Sequence, residues 1–229
     1  MTPGEFVSAI ASIQFDGVFN PYSDICPEHD SDASPRLRRE NLESYLTASI
    51  LLCVDTLWMG RDLGYRGGRR TGLPLTDEGH LSAFRSRYPG SRPLKATATN
   101  VVAERTATEI WSKITAVKTP PFLWNVFPFH PHEPDSPMSN RRFKSRELET
   151  VHNLNIALVE MLGIVRVLAI GRDAQHYALR LGLEVEPIRH PSYGGVTEFR
   201  ASMMRIYPET QPTNQLTVRL DFDEAAMQA

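Results

Sequence analysis

The chain has 229 residues, enough to bury one full-sized core and short for two. Hydrophobic residues make up 41%, charged residues 23% and aromatics 9%, which excludes a disordered or fibrous chain. A formal net charge of -2 excludes a protein that coats nucleic acid through bulk positive charge. No apolar run is long enough to span a membrane, since the longest, Ile50 to Val54, stops at Asp55. The N-terminus carries no basic region ahead of an apolar stretch, so it is no secretory signal, and the expectation is a soluble cytoplasmic protein. The expected organisation is a single domain over 1–229, with residues 1–50 as an N-terminal helical or loop extension and 208–229 as a tail.

In chain order, Ser34 is placed to cap a helix with Pro35 at its first position, followed by Leu42, Tyr45, Leu46 and Ile50 at helical spacing. Cys53 then lies in an apolar run and reads as a small buried hydrophobe. With Cys26 as the only other cysteine, the chain cannot hold a four-cysteine iron–sulfur cluster or zinc site, and nothing motivates a disulfide. Val54 to Met59 reads as a buried strand. Thr99 or Asn100 opens a second helix with Ala107, Ile110, Trp111, Ile114 and Val117 on one face, before Pro120 stops it. Phe122 to Val126 is the second strand. Ser145 opens a third helix that Gly163 ends, Val165 to Ile170 is the third strand, and Asp173 to Leu181 is a shorter helix ending at Gly182. Val185 to Arg189 is the fourth strand, with Pro187 suiting a sheet edge. A short strand over Gln215 to Phe222 and an acidic end complete the pattern.

Strands alternating with helices predict an α/β fold, a three-layer α/β/α sandwich around a mainly parallel four-stranded sheet. In such folds ligands sit beyond the carboxyl ends of the strands. Polar residues gather there: Gly60-Arg61-Asp62 after the first strand, Asn125 in the second and Phe127 to His130 after it, and His190-Pro191-Ser192 after the fourth.

Basic charge is local. Between Arg61 and Lys95 there are eight basic side chains against three acidic ones, and Arg141, Arg142, Lys144 and Arg146 form a second group. Such clusters are often just a solvated face. Here the first coincides with a glycine-rich stretch, residues 60–78. Its glycines can let backbone approach a ligand, and Arg66, Arg69 and Arg70 can grip phosphate. The stretch matches neither the P-loop nor the dinucleotide fingerprint.

Each candidate has a plain structural reading beside the functional one. Asp62 is a turn residue or a group that activates water. Asn125 is a buried bridge between backbone groups or a reader of a base edge. His190 is a satisfied structural imidazole or a donor to developing negative charge. His130 and His132, two apart, raise a metal site that lacks a third ligand at helical spacing.

In this order the segments resemble the uracil-DNA glycosylase superfamily, which pairs an early Gly-x-Asp or Gly-x-Asn strand end with a middle-strand Asn and a late His-Pro-Ser loop. Residues 65–72, 124–132 and 189–195 look like a bacterial branch without an iron–sulfur cluster, and the likeness spans roughly 50–200. The resemblance implies that Asp62 activates water and offsets positive charge on the sugar, and that His190 hydrogen-bonds the uracil carbonyl as charge builds there. It implies that Gly60, Arg61 and Asn125 bind the base, with Tyr65 closing the pocket against thymine. Leu75, in the substrate-binding set, stands where the family commonly stacks a phenylalanine, so stacking is expected either to be weaker or to come from Phe127 or Phe129. Ser192 and Tyr193, with Arg66, Arg69, Arg70 and His130, would contact DNA, and either Tyr193 or another residue would be the wedge in place of the family's apolar residue. The implied partner is uracil-containing DNA, single- or double-stranded, with an abasic product, a monomeric enzyme and no cofactor or metal. Two other readings stay open: a weak or inactive module that grips abasic or damaged DNA, and a metal-dependent phosphoester hydrolase built on Asp62, His130, His132 and His190.

Overall fold

The computed structural model describes residues 1–208, so the strand expected over Gln215 to Phe222 lies outside the described residues. Chain order is α1 (Pro3–Ala11), β1 (Val18–Phe19), α2 (Ser34–Leu51), β2 (Thr56–Asp62), α3 (Gly68–Thr71), α4 (Leu81–Arg87), α5 (Arg105–Ile114), β3 (Phe122–Phe127), β4 (His130–Pro131), α6 (Ser145–Leu162), β5 (Arg166–Ile170), α7 (Arg172–Ala178), β6 (Glu184–Ile188) and α8 (Val196–Ile206).

The four expected strands form one sheet in the order β3-β2-β5-β6, and every pairing is parallel. Helices cover it as an α/β/α sandwich, and β3, at the sheet edge opposite β6, has all six residues buried. A run that is apolar but for Asn125 is what a strand covered on both faces requires. Pro187 lies in the edge strand β6, where a missing N–H costs no ladder bond. The strand β2 runs three residues further than expected, through Gly60-Arg61-Asp62, because Asp62 still registers with Phe127 of β3.

Residues 1–50 are part of the core. Thr2 and Glu5 cap α1 reciprocally, with Pro3 at its first turn. Phe6 and Ile10 of α1 and Leu42, Tyr45 and Leu46 of α2 are fully buried in the same hydrophobic cluster as the sheet. Tyr45 stacks on Phe122 of β3 at 4.4 Å and donates nothing to solvent: its hydroxyl accepts the Leu123 N–H at 2.6 Å. Ser34 is not the cap of α2 but its first residue, and its hydroxyl donates to the Ala96 carbonyl.

Two other expectations are corrected. Helix α5 starts at Arg105 rather than at Thr99 or Asn100, because both of those residues are engaged by the Arg70 guanidinium. Cys53 is exposed: it sits in a left-handed turn (φ 50°) just past the end of α2, and it and the buried Cys26 are both free thiols. Among the described residues, no helix is long and apolar enough to cross a membrane.

Candidate active site

A cleft of about 860 Å³ opens at the carboxyl edge of the sheet. It is lined by Asp62 from the end of β2, Asn125 from β3 and His190 from the loop after β6, together with Arg61, Leu75, Ser192 and Tyr193. Register explains the first pair. Gly60 lies opposite Asn125, and a Cβ at Gly60 would come within 2.8 Å of Asn125 Nδ2 and 2.9 Å of Leu75 Cδ2. Glycine there clears room for the carboxamide.

Asn125 has a fixed orientation. Its Nδ2 donates to the Asp62 carbonyl at 2.9 Å, while its buried Oδ1 has no protein partner. Flipping the amide would set two oxygens against each other, so the unpaired atom is an acceptor, on a residue that lines the cleft. A buried orphan acceptor is costly unless something else fills the bond.

The Asp62 carboxylate accepts from Arg61 Nε at 2.7 Å, and Arg61 also faces Asp173 at 3.7 Å. Asp173 is in turn ion-paired to Arg142. Burial raises the Asp62 pKa above the ordinary value, and Arg61 opposes that rise. The side chain is therefore a desolvated carboxyl group whose ionised form is favoured by Arg61 and, more weakly, by Arg141.

His190 is a neutral imidazole. Burial, followed by the Arg61 and Arg189 charges, lowers its pKa to about 4. Its Nδ1 accepts the Ser192 N–H at 3.1 Å, which leaves the proton on Nε2 as a donor. The loop doubles back tightly: Tyr193 (φ 52°) and Gly194 (φ 78°) are left-handed, and a Cβ on Gly195 would collide with the His190 carbonyl. Tyr193 is 99% exposed at the rim. Ser192 lies 3.4 Å from the Thr106 hydroxyl at the start of α5.

Leu75 also adopts a left-handed backbone (φ 55°), a strained state for a residue with a Cβ. The Thr71 hydroxyl holds that turn, accepting from Leu73 N and donating to the Thr76 carbonyl.

Other expected site residues are elsewhere. Phe127 and Phe129 are fully buried, packed against each other and Phe15, so neither can stack on a ligand in the cleft. Arg69, Arg70 and His130 were expected at DNA, but they are buried and already bonded. Arg69 lies 3.9 Å over the Phe19 ring and donates to His130 Nδ1 and the Pro137 carbonyl. Arg70 pairs with Glu78 at 3.1 Å and binds Thr97, Thr99 and the Asn100 carbonyl. His130 donates from Nε2 to the Ser139 carbonyl, and burial and Arg69 lower its pKa to about 3. With both ring nitrogens engaged it is not available to a metal, and among the described residues no three His, Cys, Asp or Glu side chains cluster as a metal site. Tyr65 and Arg66 sit beside the cleft without lining it, Arg66 over the Tyr65 ring at 5.4 Å.

Glu104 and Asp173, which the sequence did not single out, line the cleft, as does Arg142, read there only as part of a basic group. Asp173 had a readable signal: Gly171-Arg172-Asp173 follows the carboxyl end of β5, the same position in the fold that marked the other strand ends.

No protein-family model matches the chain, and no curated protein matches it in sequence. In fold it is similar to Pedobacter heparinus SMUG2. The crystal structure of that wild-type protein matches with a TM-score of 0.60 at 15% identity, over 90% of this chain and 95% of SMUG2. At this identity the likeness shows a shared fold and nothing finer.

Proposed function

We propose that the protein is a monofunctional DNA glycosylase that hydrolyses the bond between uracil and deoxyribose, leaving an abasic site. The observation that carries this reading is the convergence of Asp62, Asn125 and His190 on one cleft wide enough for a nucleobase. The fold shared with SMUG2 agrees with it.

The chemistry follows from the three polar atoms. Asn125 Oδ1 accepts the N3–H of uracil, whereas cytosine presents an acceptor there and is repelled. As the glycosidic bond breaks, its electron pair moves onto the base and positive charge grows on the sugar. The His190 Nε2–H donates to the uracil carbonyl oxygen where negative charge collects. Asp62 accepts a proton from the water that forms the new C1′–O bond, and its charge offsets that of the sugar. The base must leave the helix to reach the cleft, so single-stranded or mispaired uracil is cheapest to extract. Tyr193 at the rim suits the space vacated. The reaction needs water and no cofactor.

A second reading, a module that grips abasic DNA without turnover, draws on two features. Asp62 is already paired to Arg61, and among the described residues Tyr193 is the only Phe, Tyr or Trp lining the cleft. One assay separates the two: oligonucleotides carrying uracil, hypoxanthine, xanthine or thymine are incubated with the protein and then treated with alkali. Cleavage at uracil supports the enzyme, and no cleavage at any base leaves the module.

A further inference from the structure

The glycines of the 64–68 loop were expected to bring backbone close to a ligand, yet two of them make room for a side chain of the protein itself. A Cβ at Gly64 would come within 3.0 Å of Glu104 Oε1, and a Cβ at Gly67 would collide with Glu104 Oε2. The Glu104 carboxyl therefore lies flat on a glycine floor and lines the cleft beside Gly64, Gly68 and Thr106. Its backbone is anchored, with the N–H donating to Asp77 Oδ2 at 2.6 Å. Its carboxyl makes no hydrogen bond or ion pair among the described residues. A partly buried carboxyl that lies against glycines, lines the cleft and pairs with no neighbouring side chain is placed to meet a ligand there.

We infer that Glu104 binds the nucleotide as a neutral carboxylic acid, donating its proton to an oxygen of the ligand. The inference rests on the nucleic-acid reading of the cleft. A carboxylate in this place would repel phosphate and carbonyl oxygens alike, whereas the acid offers each a donor. The surroundings favour the acid: burial, then the Asp77 charge, raises the Glu104 pKa to about 7, and Arg66 on the glycine loop opposes this only in part. Asp77 stays ionised, held low by His80 and the Glu104 N–H despite its burial. Across the cleft stand Arg61, Asp62, Arg142, Asp173 and His190.

Binding that requires the acid takes up a proton above neutrality. The test is calorimetry at pH about 8, in two buffers of different ionisation heat, with two single-stranded oligonucleotides. One carries a tetrahydrofuran abasic analogue, and the other a 2′-fluoro-deoxyuridine that resists hydrolysis. Wild-type protein is expected to take up close to one proton and to lose about tenfold in affinity per pH unit above the Glu104 pKa. Glu104→Gln, a permanent neutral mimic, is expected to take up none and to bind about tenfold tighter than wild type at that pH. Uptake with both oligonucleotides assigns the acceptor to the sugar-phosphate backbone, and uptake with the uracil strand alone assigns it to the base. Absence of uptake in the wild type, or equal uptake in Glu104→Gln, overturns the inference. Failure of either oligonucleotide to bind at any pH instead overturns the nucleic-acid reading beneath it.

Discussion

The chain holds two shielded imidazoles next to arginines, and they have opposite uses. His130 receives Arg69 on Nδ1 and gives Nε2–H to the Ser139 carbonyl, so nothing is left for a ligand. His190 receives the Ser192 N–H on Nδ1 and turns Nε2–H to the cleft. The arginines divide the same way. Arg69 and Arg70 are spent on carbonyls, Glu78 and the Phe19 ring, whereas Arg61 faces the cleft and pairs with the carboxylate it contains. The scaffold groups are also the more deeply buried, His130, Arg69 and Arg70 being sealed while His190 and Arg61 are partly exposed at the cleft. What marks the site is a polar group that both lines the cleft and keeps an atom free for a ligand.

The comparison breaks first at Arg70. Replacing it with Ala leaves the buried Glu78 charge unpaired, and the expected loss is about 3–5 kcal/mol of stability, measured by urea unfolding. Base release by the folded fraction should stay near the wild-type rate; a loss of turnover without a loss of stability would move Arg70 into the site. Next, Asp62→Asn and His190→Ala should each slow single-turnover uracil release by about a hundredfold or more, the scale of removing one preorganised charge or donor. Wild-type rates in both variants would take these residues out of the chemistry.

Arg61 sharpens the contrast through pH. Asp62 must be ionised to accept a proton, so activity falls on the acid side as it protonates. Arg61→Gln removes the charge that opposes the effect of burial, and the acid limb of the rate profile should move to higher pH, with Arg61→Lys restoring part of the shift. An unmoved limb would mean that Arg61 does not set the charge of Asp62.

The smallest effect concerns His130. Its folded pKa of about 3 lies below the unfolded value near 6.5, so the unfolded chain binds the proton first as pH falls. The contribution is intact above the unfolded value and is lost as pH drops from about 6.5 towards 3. In His130→Gln, which can still accept from Arg69 and donate to Ser139, the slope of unfolding free energy against pH should shrink by about one proton over that window. An unchanged slope would place the acid sensitivity in other groups.

Much of the sheet was legible because short apolar runs bounded by turn residues admit few other readings, and Asp62, Asn125 and His190 followed from the rule about strand ends. The start of α5 was hidden because Thr99 and Asn100, good capping residues in isolation, are consumed by Arg70 some thirty positions earlier. For the same reason Arg69 and Arg70 read as phosphate contacts: sequence gives a guanidinium's charge and not the carbonyls waiting for it. Helix α1 carries a visible signature in Thr2-Pro3-Gly4-Glu5, a capping box with proline in the first turn. Glu104 left none, since its place depends on glycines forty positions away.

A crystal structure of the protein with uracil and an abasic oligonucleotide is expected to place the base in the cleft, with its N3–H on Asn125 Oδ1, a carbonyl oxygen within hydrogen-bond reach of His190 Nε2, and the sugar beside Asp62. Uracil seated away from these three atoms, with the strand crossing another face, would contradict this placement.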